Sequence, residues 1–360
     1  MSEPGTAVGM EIEYWVVDSE GRLCDGEEIV AAHDRICHEF VAPMVEFETP
    51  PREDLDLVRR DLREVLEAGL DAAGRAEKHL VPLGTPLICE TMPATSERGR
   101  LLERLYGDGI EYAKHCAGTH VHFDKRAVPD QLNLLTALDP TLALVASSPY
   151  YDGRRLAHSS RAYVYRYETG RAFSRYRDLW AYTDSMTEWN ARLDAAYEEL
   201  RALASERGID DATFERHVEP ENSVLTPVRL RLGSPTVEWR APDAALPSQL
   251  LSLLSDVSGV VDSLADRSLE IANPGSDSLG IGEKTVAIPA FEELRDLTRA
   301  AIVEGRTDAV EAYLASFGID SSRYAPIAEE LAGDERVDHE RARELRLAYA
   351  ERLRADAASL

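Results

Sequence analysis

Four short stretches of this chain alternate polar and apolar residues with period two, and their polar positions hold chemically active side chains. The first is Gly9-Met10-Glu11-Ile12-Glu13-Tyr14-Trp15. A β-strand sends successive side chains to opposite faces, so Glu11, Glu13 and Trp15 share one face and Met10, Ile12 and Tyr14 the other. Two carboxylates on one strand face repel each other, and burial strips their hydration. A fold tolerates the pair when a cation lies between them or when the face stays wet. The second stretch, Val45-Glu46-Phe47-Glu48-Thr49, repeats the pattern with Glu46 and Glu48 and stops at Pro50-Pro51. In the third, Thr119-His120-Val121-His122-Phe123-Asp124, one face carries His120, His122 and Asp124. The fourth is a predicted hairpin, residues 228–232 and 236–240 joined by Gly233-Ser234-Pro235. Arg229 and Arg231 share a face of its first arm, and Glu238 and Arg240 a face of its second.

If these stretches join one antiparallel sheet, their polar side chains converge on a single concave surface. Carboxylates on separate strands, with one or two imidazoles, suit Mg²⁺ or Mn²⁺ held jointly with phosphate oxygens, because Mg²⁺ rarely takes an all-protein cage. The metal candidates are Glu11, Glu13, Glu46, Glu48, His120, His122 and Glu238. His-x-His is also a zinc-ligand spacing, so the same residues with Asp124 describe a zinc hydrolase as an alternative. Alternation alone is what any half-exposed strand shows. The weight lies in finding four such faces in one chain.

Helical patterns separate the strands. Residues 53–79 carry an apolar stripe of Leu55, Leu62, Leu66 and Leu70. A second helix opens at Pro129-Asp130 with Leu132, Leu135, Leu138 and Leu142, and Pro140 is predicted to kink or break it. Residues 186–206 read as a third, stopped by Gly208. Beyond Ala244 the pattern is almost wholly helical to Leu360, interrupted near Asn273-Pro274-Gly275 and Gly318. No solenoid-length repeat or low-complexity segment occurs. The chain reads as one α+β catalytic domain over residues 1–360, with a sheet core at about 5–243 and a helical portion at about 244–360.

The charge balance narrows the partners. Sixty-six acidic residues against 40 basic ones give a formal net charge of −26. The acids are spread along the whole chain, as on the solvated surface of a protein from a salt-accumulating organism. That balance argues against general nucleic-acid or anionic-membrane binding and leaves small-molecule substrates, with a homo-oligomer compatible. An anionic substrate then needs a local positive site. One segment offers it: Arg154, Arg155, Arg161, Arg166, Arg171, Arg175 and Arg177 are interrupted by a single acid, Glu168. Arginine forks bind carboxylate and phosphate at two points. Part of this segment is expected to face an anionic substrate, and the rest to pair with acids on neighbouring helices.

Cys24, Cys37, Cys89 and Cys116 form no Cys-x-x-Cys pair, which suggests reduced thiols and a cytoplasmic location. Cys116 reads as a small buried hydrophobe. The first residues have no basic-then-apolar leader, and no stretch reaches membrane-span length. Neither a P-loop nor a Gly-x-Ser-x-Gly elbow is present.

In order and spacing, the motifs resemble those of the glutamate–cysteine ligase type 2 group of carboxylate–amine ligases. The resemblance runs from Gly9 to about Gln249. It is carried by Gly9-Met10-Glu11-Ile12-Glu13, Glu46-Phe47-Glu48-Thr49-Pro50 and Gly118-Thr119-His120-Val121-His122. It continues through Ser147-Ser148-Pro149-Tyr150 with Gly153, Ser159-Ser160-Arg161, and Thr236-Val237-Glu238-Trp239-Arg240 with Asp243. The chain departs from the pattern at Gly84-Thr85-Pro86, which lacks a histidine before the proline, and near Arg155-Leu156, where Thr-Gly is usual.

The resemblance implies a glutamine-synthetase-like fold, a curved antiparallel sheet around ATP, metal ions and an amino acid, flanked by helices. It implies ATP-dependent γ-glutamyl transfer to an amine. Cysteine is the expected acceptor, another amine the alternative, and a catalytically silent metabolite-binding protein a further reading. Metal ions on the seven candidates, not all in direct contact, would neutralise the phosphates. Glu238 and Arg240 would form the catalytic pair, with Arg240 stabilising the transferring phosphoryl group. Arg161, with Arg155 and Tyr150, would bind the amino-acid substrate, and Arg229 and Arg231 would face ATP.

Overall fold

The computed structural model describes residues 5–168, 174–276 and 278–360. Its spine is β1 (Val8–Asp18), an eleven-residue strand whose alternate residues Met10, Ile12, Tyr14 and Val16 are buried. One edge of β1 is short of a partner until the chain returns through β2 (Ile36–His38) and β3 (Met44–Glu48), which pairs antiparallel along Glu11–Trp15. The other edge is shared end to end. β4 (Lys78–Val81) takes Trp15–Asp18, and β5 (Thr119–Asp124) takes Val8–Ile12. A two-strand ribbon, β6 (Tyr150–Tyr151) and β7 (Arg154–Arg155), stands apart. The predicted hairpin forms as β8 (Val228–Leu230) and β9 (Thr236–Trp239), giving a sheet ordered β2-β3-β1-β5-β9-β8 with β4 beside β1. Every pairing in it is antiparallel.

One face of this sheet is apolar and covered by helices. The helix Leu55–Arg75 starts at Asp54, whose carboxylate accepts the Asp56 amide at 2.9 Å, and it buries Val58, Leu62, Val65, Leu66 and Leu70. It approaches the sheet closely at Gly69, where a Cβ would stand 2.7 Å from Phe47 Cζ. The helix stops four residues short of the predicted boundary because Glu77 turns at φ 56° and Lys78–Val81 leaves as β4. Val128–Ala137 forms the next helix, and Pro140 ends it as expected, the chain continuing as the 3₁₀ turn Asp139–Leu144.

The opposite face is capped by a second helical layer with its own hydrophobic cluster. Glu97–Tyr106, Gly109–Lys114, Met186–Glu206 and Asp211–His217 bring together Leu101, Leu105, Tyr106, Leu193, Leu200 and Phe214. Gly208, at φ +69°, ends the longest of these helices.

The C-terminal third departs from the helical expectation. It contains a small sheet of β10 (Ser268–Ile271), β11 (Gly280–Ile281) and β12 (Thr285–Ile288), ordered β10-β12-β11. Thr285-Val286-Ala287-Ile288 is a β-branched run too short for a helix, and Val286 and Ile288 are fully buried. Helices Pro247–Asp262 and His339–Ala357 buttress the main sheet. Ser248 joins them by donating its amide and hydroxyl to Asp356, at 2.8 and 2.6 Å. Arg346, buried, donates to the carbonyls of Pro86, Ile88 and Gly21 and so ties the last helix to the loop after β4. Among the described residues no helix is long and apolar enough to cross a membrane.

Candidate active site

Register alone brings the polar faces together. Glu11 stands opposite Glu48 on β3 and His120 on β5, while Glu13 stands opposite Glu46. His122 pairs with Glu238 on β9, and Glu238 with Arg229 on β8. Cross-strand neighbours lie close enough for their side chains to interact, so a continuous polar surface crosses five strands.

Glu11 is the hub. Its Oε2 lies 3.1 Å from His120 Nδ1, and its Oε1 lies 3.0 Å from His122 Nε2, an atom that nevertheless forms no hydrogen bond. Burial works to raise the Glu11 pKa, but the two imidazoles overcome it and hold the carboxyl far below the usual range. Glu13 differs. Its Oε2 accepts the Gly118 amide at 2.5 Å, but burial, helped by the charge of Glu39, pushes its pKa up to about 8. Burial and the charges of Glu39 and Glu11 likewise raise Glu46. His120 is pushed down to about 4 by burial and by the charge of Arg240, so it stays neutral at pH 7 with a lone pair to offer.

Beside this acidic half lies a basic one. Glu238 is fully buried and receives three guanidinium groups: Arg229 Nε at 2.6 Å and Nη2 at 3.1 Å, Arg231 Nη1 at 3.1 Å, and Arg240 Nη1. Burial alone would raise the Glu238 carboxyl, but the Arg240 and Arg229 charges hold it well below its ordinary value. Arg231 bridges onward to Glu221 Oε1 at 3.1 Å, and Glu221 accepts the amides of Leu232 and Gly233, fixing the hairpin turn.

Arg161 sits at the base of the site. Its Nη1 donates to the Ala241 carbonyl at 3.1 Å, and its buried Nε has no partner. Gly118 makes the seat possible, since a Cβ there would stand 2.6 Å from Arg161 Cζ. Beneath it, Asp243 accepts the Ser147 amide at 3.0 Å and the Ser159 hydroxyl at 3.1 Å. Gly84 donates its amide to Ser147 Oγ at 2.6 Å, and a Cβ on Gly84 would stand 2.7 Å from Asp243 Oδ2. These motif residues act as one scaffold that places Arg161.

The remaining sequence candidates lie elsewhere. Tyr150 is buried with its hydroxyl 2.7 Å from both Leu331 O and Asp334 O, and exposed Arg155 donates Nη1 to Ala332 O at 2.9 Å. Both tie the small ribbon to the C-terminal segment, and neither reaches the cluster. Glu48 stands beside it, half-buried, accepting Cys37 Sγ at 3.5 Å. In the basic segment, Arg154 is exposed and Arg166 is spent on a buried two-point pair with Asp139, at 2.7 and 2.8 Å. Arg177 is fully buried, with its guanidinium carbon 4.9 and 5.2 Å from the ring centres of Tyr106 and Tyr165. Arg171 and the side chain of Arg175 lie outside the described residues. Of the described members, only Arg161 lines the cavity that also holds Glu13, His120 and Arg240.

That cavity, about 140 Å³, lies between the sheet and the second helical layer. Glu13, Glu39, His120, Arg98, Arg161 and Arg240 give it a polar lining, and Phe40, Met44, Leu102, Ile110 and Leu225 an apolar one. Glu39 and Arg98 were not evident from sequence. Glu39 follows a strand of only three residues, too short to show alternation, and Arg98 lies in an ordinary amphipathic helix.

Three sets of side chains bring ligand atoms within 4.8 Å of one another: Glu11–Glu46–His120, Glu11–His122–Glu238 and Glu13–Glu39–Glu46. The donors fit hard divalent cations. Carboxylates dominate, each set has at most one imidazole, and the orphaned His122 Nε2 faces a carboxylate it does not bond. Among the described residues Asp124 joins none of these sets, so the His-x-His-Asp zinc arrangement does not form.

The chain is similar to known proteins in sequence and in fold. A glutamate–cysteine ligase of Haloquadratum walsbyi is 27% identical over 279 residues, covering 72% of this chain and 70% of that protein. Two solved structures share the fold. A glutamate–cysteine ligase from Francisella tularensis in complex with AMP superposes with a TM-score of 0.61 at 14% identity, covering all of this chain and 92% of that one. A bifunctional glutathione synthetase from Pasteurella multocida gives 0.56 at 17% identity, covering 98% of this chain and 53% of that one. The chain therefore has the fold of these two structures. The family model described as glutamate–cysteine ligase family 2 matches residues 7–267, and the chain belongs to that family of ligases.

Proposed function

We propose that this chain is an ATP-dependent ligase that joins the γ-carboxylate of L-glutamate to the amine of L-cysteine. The observation that carries the reading is the junction of two opposite halves on one concave surface. Glu11, Glu13 and Glu46 lie on one side and the Arg229–Arg231–Arg240 clasp around Glu238 on the other. A carboxylate cluster beside an arginine cluster is what a metal–triphosphate needs.

A carboxylate is a poor acyl donor until one oxygen becomes a leaving group. The γ-carboxylate oxygen of glutamate attacks the γ-phosphorus of ATP, the bond to the β-phosphate oxygen breaks, and ADP leaves. The amine of cysteine then attacks the acyl carbon of the γ-glutamyl phosphate, the carbon–oxygen bond breaks, and phosphate leaves as the amine gives up a proton. Mg²⁺, when bound by Glu11, Glu13, Glu46, Glu238 and the imidazoles, supplies charge neutralisation on the phosphates. Arg240, anchored on Glu238 through Nη1 and 3.3 Å from His120 Nδ1, is positioned to stabilise charge on the transferring group. Arg161, with its unpartnered Nε, is the group for a glutamate carboxylate. Arg229 and Arg231 hold Glu238 and present the positive edge toward ATP.

A coupled ADP-release assay with glutamate, ATP and a panel of amines, run in high potassium chloride, tests the proposal. Cysteine-dependent release with a γ-glutamylcysteine product supports it. Release with a different amine alone assigns the other acceptor, and release with none removes the ligase reading.

A further inference from the structure

Behind the wall of the cavity lies a guanidinium that nothing neutralises. Arg177 closes the short helix Ser174–Arg177 and is fully buried, yet none of its three guanidinium nitrogens makes a hydrogen bond. Its guanidinium carbon lies instead 4.9 and 5.2 Å from the ring centres of Tyr106 and Tyr165. Two ring faces attract the charge, but they do not accept its N–H donors as an oxygen would. Burying a cation on these terms destabilises the fold.

Arg166, Arg229 and Arg346 are also interior, but Asp139, Glu238 and three carbonyls compensate them in turn. Packing does not ask for a charge at Arg177, because a methionine would fill the space between the two rings. What the charge reaches is the cavity. Tyr165 lines it beside Arg161 and Arg240, and so does Cys116, whose Sγ donates to the Arg161 carbonyl at 3.7 Å. Burial pushes the Cys116 thiol up, and the charges of Arg161 and Arg177 both oppose it. The two cations therefore act on one end of the cavity from different depths. Arg161 lines it, and Arg177 stands behind the Tyr165 ring. The same lining carries Glu13 and Glu39, in a chain of net charge −26. An anion entering there meets a negative background, and a desolvated cation without a counter-ion offsets it through space.

We propose that Arg177 is a positioning residue whose unpaired charge, acting across the Tyr165 ring, strengthens the hold of the Arg161 end of the cavity on a substrate carboxylate. This rests on the ligase reading above, in which that carboxylate belongs to glutamate. Arg177 touches no substrate. It is left without a counter-ion, so its field is not cancelled before it reaches the cavity. A salt bridge at the same place would stabilise the fold and remove most of that field.

The test compares Arg177→Met and Arg177→Lys with the wild type in the full chain. Arg177→Met is expected to melt at or above the wild type, because an unpaired buried charge is gone. Its KM for glutamate, and its calorimetric Kd for L-glutamate, should rise about tenfold. Its kcat and its KM for ATP should stay within about twofold, as for a group that contributes to binding alone. Arg177→Lys keeps a charge and is expected to recover part of the affinity. Loss of stability or of folding in Arg177→Met with glutamate binding unchanged overturns the proposal. So does a defect confined to ATP or to kcat, and so does equal loss in both variants, since shape and not charge would then matter. Absence of amine-dependent ADP release removes the ligase reading alone. Calorimetry with L-glutamate then still decides: weaker binding by Arg177→Met supports the proposal, and a wild type that binds no glutamate overturns it as well.

Discussion

Glu13 stands directly opposite Glu46 across the β1–β3 pair, with Glu13 buried and Glu46 largely so. Two acids this close cannot both ionise cheaply without a cation. With its pKa raised to about 8, Glu13 keeps its proton at pH 7 in the metal-free protein. A cation that binds there must displace the proton. The affinity for Mg²⁺ is therefore expected to rise with pH between pH 6 and 8, by about tenfold per unit or more because Glu46 is raised as well, and to level off once these carboxyls are ionised. Titration calorimetry in two buffers of different ionisation heat would read the released proton directly. Pure metal binding with no buffer dependence at pH 7 would remove Glu13 from the cation site.

Glu13→Gln follows from the same pair. Its amide oxygen retains the acceptor for the Gly118 N–H, and like the protonated carboxyl it carries no charge opposite Glu46. The metal-free variant should keep its fold and melt close to the wild type at pH 7. Stabilisation by added Mg²⁺ and ATP should vanish, and turnover with it. Thermal melts with and without Mg²⁺–ATP, beside the ADP assay, check both halves. Near-normal turnover would place the cation elsewhere.

Much of this site was legible in the sequence because a strand's period of two writes its faces openly. Glu11, Glu13, His120, His122 and Glu238 fall where alternation puts them, and register completes the cluster. Glu39 and Arg98 were hidden for opposite reasons: one follows a strand of three residues, and the other reaches the site from a different layer. Burial hid more. Nothing in the spacing of Arg154 to Arg177 distinguishes Arg161, aimed into the cavity, from Arg166, closed on Asp139, because that choice belongs to tertiary packing. The small β10–β12 sheet was obscured by the length of the helices around it.

Arg166 and Asp139 offer a check on that division. Both are buried, and their two-point contact leaves neither group free for substrate. Removing one partner strands the other charge in the interior. Asp139→Asn is expected to cost about 3–5 kcal/mol of stability. The paired change of Asp139→Leu with Arg166→Met should recover most of it. Urea denaturation in high potassium chloride measures the loss. If the single variant instead keeps its stability and loses affinity for glutamate or ATP, Arg166 serves the substrate.

Gly118 isolates the seat of Arg161 from the rest of the chemistry. The residue sits just before β5, donates its amide to Glu13 and accepts from the Glu13 amide through its carbonyl at 2.9 Å. Those backbone bonds do not need a missing side chain. The glycine is required by what lies above it, since a Cβ would press on the guanidinium of Arg161. Gly118→Ala should therefore leave strand pairing intact and displace the long, flexible arginine instead. The expected result is a rise of about tenfold or more in the KM for glutamate, on the order of the 1.5–3 kcal/mol that a hydrogen bond to a charged group contributes. The KM for ATP should move far less. Gly69→Ala provides the contrast, because its Cβ meets the Phe47 ring in the packed core, where overpacking costs about 1–3 kcal/mol of stability. Steady-state kinetics and chemical denaturation on the two variants separate the effects: a loss of stability in Gly118→Ala with an unaltered glutamate KM would show that the glycine serves the fold and that Arg161 does not bind glutamate.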